Sequence, residues 1–152
     1  MVEMINVKKY KNGLKAGIRY IHGVWGNAGN YAFYEDAIRN ASENDKGLPQ
    51  FYLLLHDDDI IGCAALIIND FISRHDLYPW VACLYVDEAY RGNQFGSLLL
   101  DHAVQCAGNA GFHKVYLTTD LDGYYEKYGW TRMEDGIDLF SGKPSRIYYK
   151  EL

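Results

Sequence analysis

Three apolar runs between Phe51 and Asp87 constrain the fold more than any other feature of the chain. They read FYLLLH from Phe51, IIGCAALIIND from Ile60 and WVACLYVD from Trp80, and their length and residue types predict strands rather than helices. Asp57-Asp58-Asp59 parts the first two and marks a hairpin junction. On either side the period changes. Leu14, Ile18, Ile21 and Trp25 follow helical spacing up to Gly26, and Tyr31–Ala41 repeats it through Phe33, Ala37, Ile38 and Ala41 before Gly47-Leu48-Pro49 breaks it. From Gln94 a longer helix places Phe95, Leu99, His102, Ala103, Cys106 and Ala110 on one face, with Gly111 suited to its C-terminal cap. HKVYLTT is the next strand and GYYEKYG a short helix stopped by Gly129. IDLF and RIYYK form a closing hairpin, and Met4–Val7 is a short first strand. The resulting order, β-α-α-β-β-β-α-β-α-β-β, mixes crossovers with hairpins and predicts an α/β (α+β) domain, a mixed sheet with helices packed on it. With no repeat, linker or low-complexity tract, residues 1–152 read as one domain.

Composition narrows the function classes. Apolar residues make up 49% and charged residues 23%, which is globular, and no apolar run approaches the roughly 20 residues of a membrane span. The opening MVEMINVKKYKNG has neither the apolar stretch nor the cleavage site of a secretory signal. Cys63, Cys83 and Cys106 are odd in number, lack CxxC spacing and sit in apolar segments, as buried residues of a reducing compartment do. The expected location is therefore cytoplasmic, with no membrane partner. The net charge of −5 is uneven: residues 1–50 hold seven Lys/Arg against five Asp/Glu, residues 51–152 eight against fifteen. An acidic larger part argues against nucleic-acid binding, which needs a basic footprint, and is compatible with a cationic substrate such as an amine, although solvated carboxylates are its ordinary explanation. No His/Cys/Asp/Glu spacing suggests a metal, and no Ser-His-Asp set has motif support.

YRGNQFGSLLL, from Tyr90 to Leu100, joins a strand end to a helix start, where several backbone N–H groups lack helical acceptors. Asn93 is the natural N-cap, Gly92 and Gly96 permit close backbone approach, and Arg91 adds a fixed positive charge. Together these make an anion site of the size of a pyrophosphate. The Gly-Lys-Ser/Thr of a Walker loop and the G-x-G-x-x-G of a dinucleotide fold are both absent. Taken alone, the loop is equally well a plain strand-to-helix turn.

Three segments in order, LYVDEAYRGNQFGSLLL, GFHKVYLTT after the long helix, and YYEKYGW, resemble the GNAT superfamily of N-acetyltransferases. Arg91 and Gly96 match the first and last fixed positions of that family's Arg/Gln-x-x-Gly-x-Gly/Ala loop, and YYEKYGW is similar to its Tyr-Glu-Lys-x-Gly segment. Residues from about 51 to 133 carry the match; Gln94 departs from it, standing where the family usually has glycine. The resemblance implies an acyl-CoA N-acyltransferase fold with a mixed, mostly antiparallel sheet, and acetyl transfer from acetyl-CoA to a primary amine by direct attack in a ternary complex. It implies that Arg91, Gly92, Asn93, Gln94, Phe95, Gly96 and Ser97 hold the phosphates, that Leu84, Tyr85 and Val86 hold the pantetheine arm through their backbone, and that Tyr125 is the general acid. The base stays open. The family's usual glutamate falls near Trp80, and Asp120, just before the Tyr125 helix, is the carboxylate placed to face the cleft, or only a turn residue. Asp70 and Asp76 are candidates for attracting a cationic amine. A small-molecule amine is the expected acceptor, with a protein or peptide acceptor, or a non-catalytic acetyl-CoA-binding module, as alternatives. A homodimer is the assembly many relatives form.

Overall fold

The computed structural model describes residues 1–152. Seven strands form one sheet in the order β1-β2-β3-β4-β5-β7-β6: β1 Val2–Asn6, β2 Gln50–His56, β3 Asp59–Ile67, β4 Trp80–Val86, β5 Lys114–Thr119, β6 Thr131–Ile137 and β7 Pro144–Glu151. Helices α1 (Leu14–Trp25) and α2 (Tyr31–Arg39) cover one face, and α3 (Phe95–Asn109) covers the other. That layering explains why FYLLLH does not alternate. Phe51, Leu53 and Leu55 join Ile18, Ile21 and Ile38 in one core, while Tyr52 and Leu54 join Leu99, Leu100 and Ala103 in the other, so every position from Phe51 to Leu55 faces a core. The β2–β3 hairpin closes through Asp57 and Asp58 at φ 49° and 79°, the left-handed pair a two-residue turn requires. No helix is long and apolar enough to cross a membrane.

Two expectations need correcting. The closing hairpin uses TRMEDGI, not IDLF, as its first strand: β6 is a sheet edge with a register irregularity between Met133 and Gly136. It is mostly exposed, so the apolar signal that marks buried strands is missing from it. The segment around Tyr125 is a 3₁₀ turn, Tyr125–Tyr128, ended by Gly129 at φ 85°.

Every neighbouring pair in the sheet is antiparallel except β4 and β5, which α3 connects as a crossover. These two strands run parallel and pair only at Trp80 with Tyr116. Trp80 is wholly buried there, its ring 5.6 Å from that of Tyr116, in a small cluster with Ile72 and Ile147. Beyond this pair the strands diverge. On its other edge β4 carries a bulge: Cys63 pairs with Tyr85 and Ala65 with Ala82, so Cys83 and Leu84 together face Ala64. Cys83 takes φ 55° to make the extra turn, and its carbonyl accepts from the Cys63 thiol at 3.2 Å. A bulge bends its strand and raises its twist, here turning β4 away from β5.

The approach of β3 to the bulge is close. A Cβ at Gly62 would lie 2.7 Å from the Tyr85 carbonyl oxygen, a distance only glycine avoids. We expect Gly62→Ala to force the strands apart and lower stability by about 1–3 kcal/mol, read as a lower urea midpoint. An unchanged midpoint would show that this contact relaxes freely.

Candidate active site

The divergence of β4 and β5 opens into a cavity of about 1100 Å³. Its floor is the bulged stretch Ala82–Leu84 facing Leu117–Thr119 of β5. One wall is the α1–α2 junction. There His22 Nε2–H donates to the Asn27 carbonyl at 2.8 Å, the Asn30 side chain accepts from Asn27 N–H at 2.7 Å, and Tyr34 Oη–H donates to the Trp25 carbonyl. The opposite wall is the β3–β4 loop stitched to the β6–β7 turn: Leu139 N–H donates to the Phe71 carbonyl and Ser73 N–H to the Ile137 carbonyl, while Ile72 bridges Asp138. Asn69 clamps the same loop by hydrogen bonds to both backbone groups of Ile72.

Tyr125 enters the cavity from its 3₁₀ turn. Its ring packs against Tyr148 at 5.8 Å and Trp130 at 6.3 Å, while Tyr124 and Tyr128 stack on one another at 5.3 Å and stay half-exposed. Burial, and then the neighbouring Tyr124, push the Tyr125 phenol above its ordinary value, with the Thr119 hydroxyl acting the other way. Burial thus strengthens the preference for the protonated form that tyrosines already have at neutral pH.

The loop Tyr90–Ser97 lies past the end of β4. Tyr20 of α1 steadies its start by donating to Asp87. Arg91 folds back, Nε donating to the Val86 carbonyl at 2.9 Å and its guanidinium lying 5.2 Å from the centre of the Tyr85 ring. Asn93 does not cap the helix; its side-chain amide donates to the Tyr90 carbonyl and closes the turn behind α3. The N-cap is Gln94, at φ 63° and ψ 20°, with no side-chain capping bond. That left-handed position is free for glycine and costs other residues about 1 kcal/mol, which accounts for both the glycine of similar loops and the tolerance of glutamine here. Gly92, at φ 86°, supplies the other reversal. The amides of Phe95, Gly96 and Ser97 find no acceptor within the chain, and a Cβ at Gly96 would meet no protein atom. The first turn of α3 is open to an anion.

A family model described as the acetyltransferase (GNAT) family matches residues 15–130. The chain belongs to the GNAT acetyltransferase family. Among curated proteins, the amino-acid acetyltransferase of Shewanella oneidensis is 31% identical over 111 residues, 72% of this chain. The match spans only 24% of that relative's length. Among solved structures, a GNAT acetyltransferase from Elizabethkingia anophelis with acetyl-CoA bound is 15% identical, covers 99% of this chain and 98% of its own, and has a TM-score of 0.67. N-acetylglutamate synthase from Neisseria gonorrhoeae, complexed with coenzyme A and N-acetyl-glutamate, is 20% identical over all of this chain and 35% of its own, with a TM-score of 0.62. The sheet and helices described above are thus the GNAT fold.

Within this GNAT domain the anticipated residues separate into two groups. Leu84 and Tyr125 line the cavity; Tyr85, Val86 and the Arg91–Ser97 loop lie beyond its floor, along the exit of β4. Asp120 does neither. The chain turns outward after Thr119, whose hydroxyl accepts from Leu121 N–H. Asp120 is left exposed, its carbonyl taking a 2.8 Å hydrogen bond from Arg146. Asp76 is likewise on the outside, paired with Arg74. Asp70 is the carboxylate that reaches the cavity. Burial, and then the nearby Asp138, raise it to about 6, and no hydrogen bond or cation of the chain relieves it. Its sequence signal is weak, since an Asp after an apolar run reads first as a solvated loop residue.

The folded-state value of Asp70 lies above the ordinary 3.8. It therefore favours the folded chain most below about pH 4, and that contribution is lost as pH rises through about 6. Asp70→Asn removes the penalty. Denaturant titrations should find the variant more stable than the parent at pH 8 and not at pH 4; an equal difference at both would place Asp70 in a well-solvated setting.

Proposed function

We propose that this GNAT protein transfers an acetyl group from acetyl-CoA to the primary amine of a small molecule, by direct attack of the amine within a ternary complex. The observation that carries the reading is the divergence of β4 from β5, which brings an unpaired, bulged strand edge and the Tyr125 hydroxyl to one cavity.

The residues present fit acetyl-CoA. The three free amides of the first turn of α3, the helix dipole and the exposed Arg91 are suited to its phosphates. The β4 edge through Leu84, Tyr85 and Val86 is suited to its pantetheine amides as an added strand would be. When bound, acetyl-CoA supplies the activated thioester carbonyl. A backbone N–H of the bulge would face that carbonyl oxygen and stabilise the negative charge it gains during attack. Tyr125, protonated at neutral pH as tyrosines ordinarily are, would give its proton to the departing sulfur. A small-molecule acceptor is in keeping with the Shewanella relative's being an amino-acid acetyltransferase.

Following free thiol with acetyl-CoA and a panel of primary amines tests the reading. Release above hydrolysis is expected; tight acetyl-CoA binding with no release for any amine or peptide would make the protein a binding module. For the acid, Tyr125→Phe should lower kcat by about 100-fold or more while acetyl-CoA affinity stays within about twofold. An unaltered kcat removes Tyr125 from that role. Arg91→Glu should weaken acetyl-CoA binding about tenfold or more, and equal affinity would clear Arg91 of phosphate contact.

A further inference from the structure

The part of the cavity away from the acetyl-CoA loop has a composition that the proposed reaction does not require. Fifteen of its twenty-two lining residues are apolar, and Lys, Arg and His are absent from all twenty-two. Phe33, Phe71 and Phe140 form a continuous aromatic wall, with ring centres 6.0 Å and 5.2 Å apart along the series. Phe33 and Phe140 remain largely exposed at the mouth, a placement the fold's own packing does not account for. Asp70 sits between this wall and the bulge. Tyr34 of α2, Cys83 of β4 and Asp138 of the β6–β7 turn are the titratable groups that face it. The first two are neutral at pH 7: burial pushes Cys83 up to about 12 and Tyr34 upward, with Asp70 adding to both. Asp138 stays charged, because it accepts from the Phe140 and Ser141 amides. The cavity lining thus holds one unpaired carboxylate and no cation, with the Asp138 charge just outside it.

Building on the acetyl-transfer reading above, we infer that the acceptor is a carboxylate-free primary amine on an aromatic or apolar body, with its ammonium held by Asp70 and its body against Phe33, Phe71 and Phe140. An ammonium brought to Asp70 gains the charge partner the carboxylate lacks. An acceptor bearing its own carboxylate, as an amino acid does, meets two negative charges and nothing to pair with. Asp70 also serves as the base. One ammonium proton passes to its carboxylate, and the freed nitrogen lone pair forms the C–N bond to the acetyl carbon as the C–S bond breaks. The sulfur carries away that bond's electron pair and takes the Tyr125 proton. The surplus proton on the new amide nitrogen restores Tyr125, and Asp70 returns its proton to water. Ammonium plus thioester thereby give amide, free thiol and one proton.

The test compares 2-phenylethylamine, L-phenylalanine and ethanolamine as acceptors for the intact protein, with L-glutamate as a fourth. L-Phenylalanine differs from 2-phenylethylamine only by its carboxylate, and ethanolamine lacks the ring. We expect kcat/KM for 2-phenylethylamine to exceed that for L-phenylalanine and L-glutamate by about 100-fold or more, as for one uncompensated buried charge, and ethanolamine to lose efficiency chiefly through KM. Asp70→Asn should lower kcat/KM for 2-phenylethylamine by about 100-fold, and the limb near pH 6 should vanish from what activity remains, with acetyl-CoA affinity retained. Acetylation of L-phenylalanine or L-glutamate as efficiently as 2-phenylethylamine overturns the inference and leaves the acetyl-transfer reading standing, as does an ethanolamine KM equal to that of the aromatic amine. Transfer to none of the four overturns the inference, and acetyl-CoA binding with no transfer to any amine or peptide of the wider panel overturns both.

Discussion

Trp80 and Tyr116 are the one ladder pair between β4 and β5, and the cavity opens where the pairing stops. The pair is pinned by burial: Trp80 is sealed among Ile72, Tyr116 and Ile147, and its indole N–H donates to the Leu77 carbonyl. From that fixed point, the extra residue at Cys83 bends β4 away, held on its far side by the Cys63 thiol and by a glycine at position 62 that lets β3 come close. Peptide groups that a continuous sheet would consume are thereby left facing a cleft. Unpaired peptide groups beside apolar surface are costly unless a ligand or water completes them, so the edge proposed to hold the pantetheine arm follows from the strand order.

The chemistry proposed for the cleft rests on contrasts in environment more than on unusual residues. Tyr125 and Asp70 both titrate higher than usual because both are removed from water. The phenol is protonated at neutral pH in any case, as a donor must be, and the displacement makes the carboxylate ready to take a proton near neutral pH. Asp70 owes its position to a loop tied down from several sides, by Asn69 from within and by the β6–β7 turn from across the cavity. The wall that shapes the acceptor space and the group proposed to hold the amine therefore belong to one hydrogen-bonded unit.

Much of this was legible along the chain. The strands β2 to β5 follow from short apolar runs rich in β-branched and aromatic residues, and the three helices from their period, because each is buried enough to show its signal. The resemblance in YRGNQFGSLLL and YYEKYGW pointed to the right family. Less legible were features in which local chemistry does not decide the outcome. β6 is an exposed edge, so Glu134, Asp135 and Gly136 disguise it as a turn. Asn93 has the side chain of an N-cap, yet the chain turns one residue later and Gln94 takes the position. The bulge falls on Cys83, a residue with no preference for positive φ, and no pattern announces it.

The carboxylates divide along the same line. Asp120 and Asp70 each follow a strand, and composition cannot say which one faces the cleft. Where β5 ends, the chain leaves the sheet toward solvent with Asp120; where β3 ends, cross-links from a hairpin nearly seventy residues away pull the loop inward with Asp70. Periodicity and short motifs are local properties, so residue order alone was enough for the buried elements and the family. The width of the cleft, the inward carboxylate and the aromatic wall made by Phe33, Phe71 and Phe140 depend on segments far apart in the chain coming into contact, and only folding brings them together.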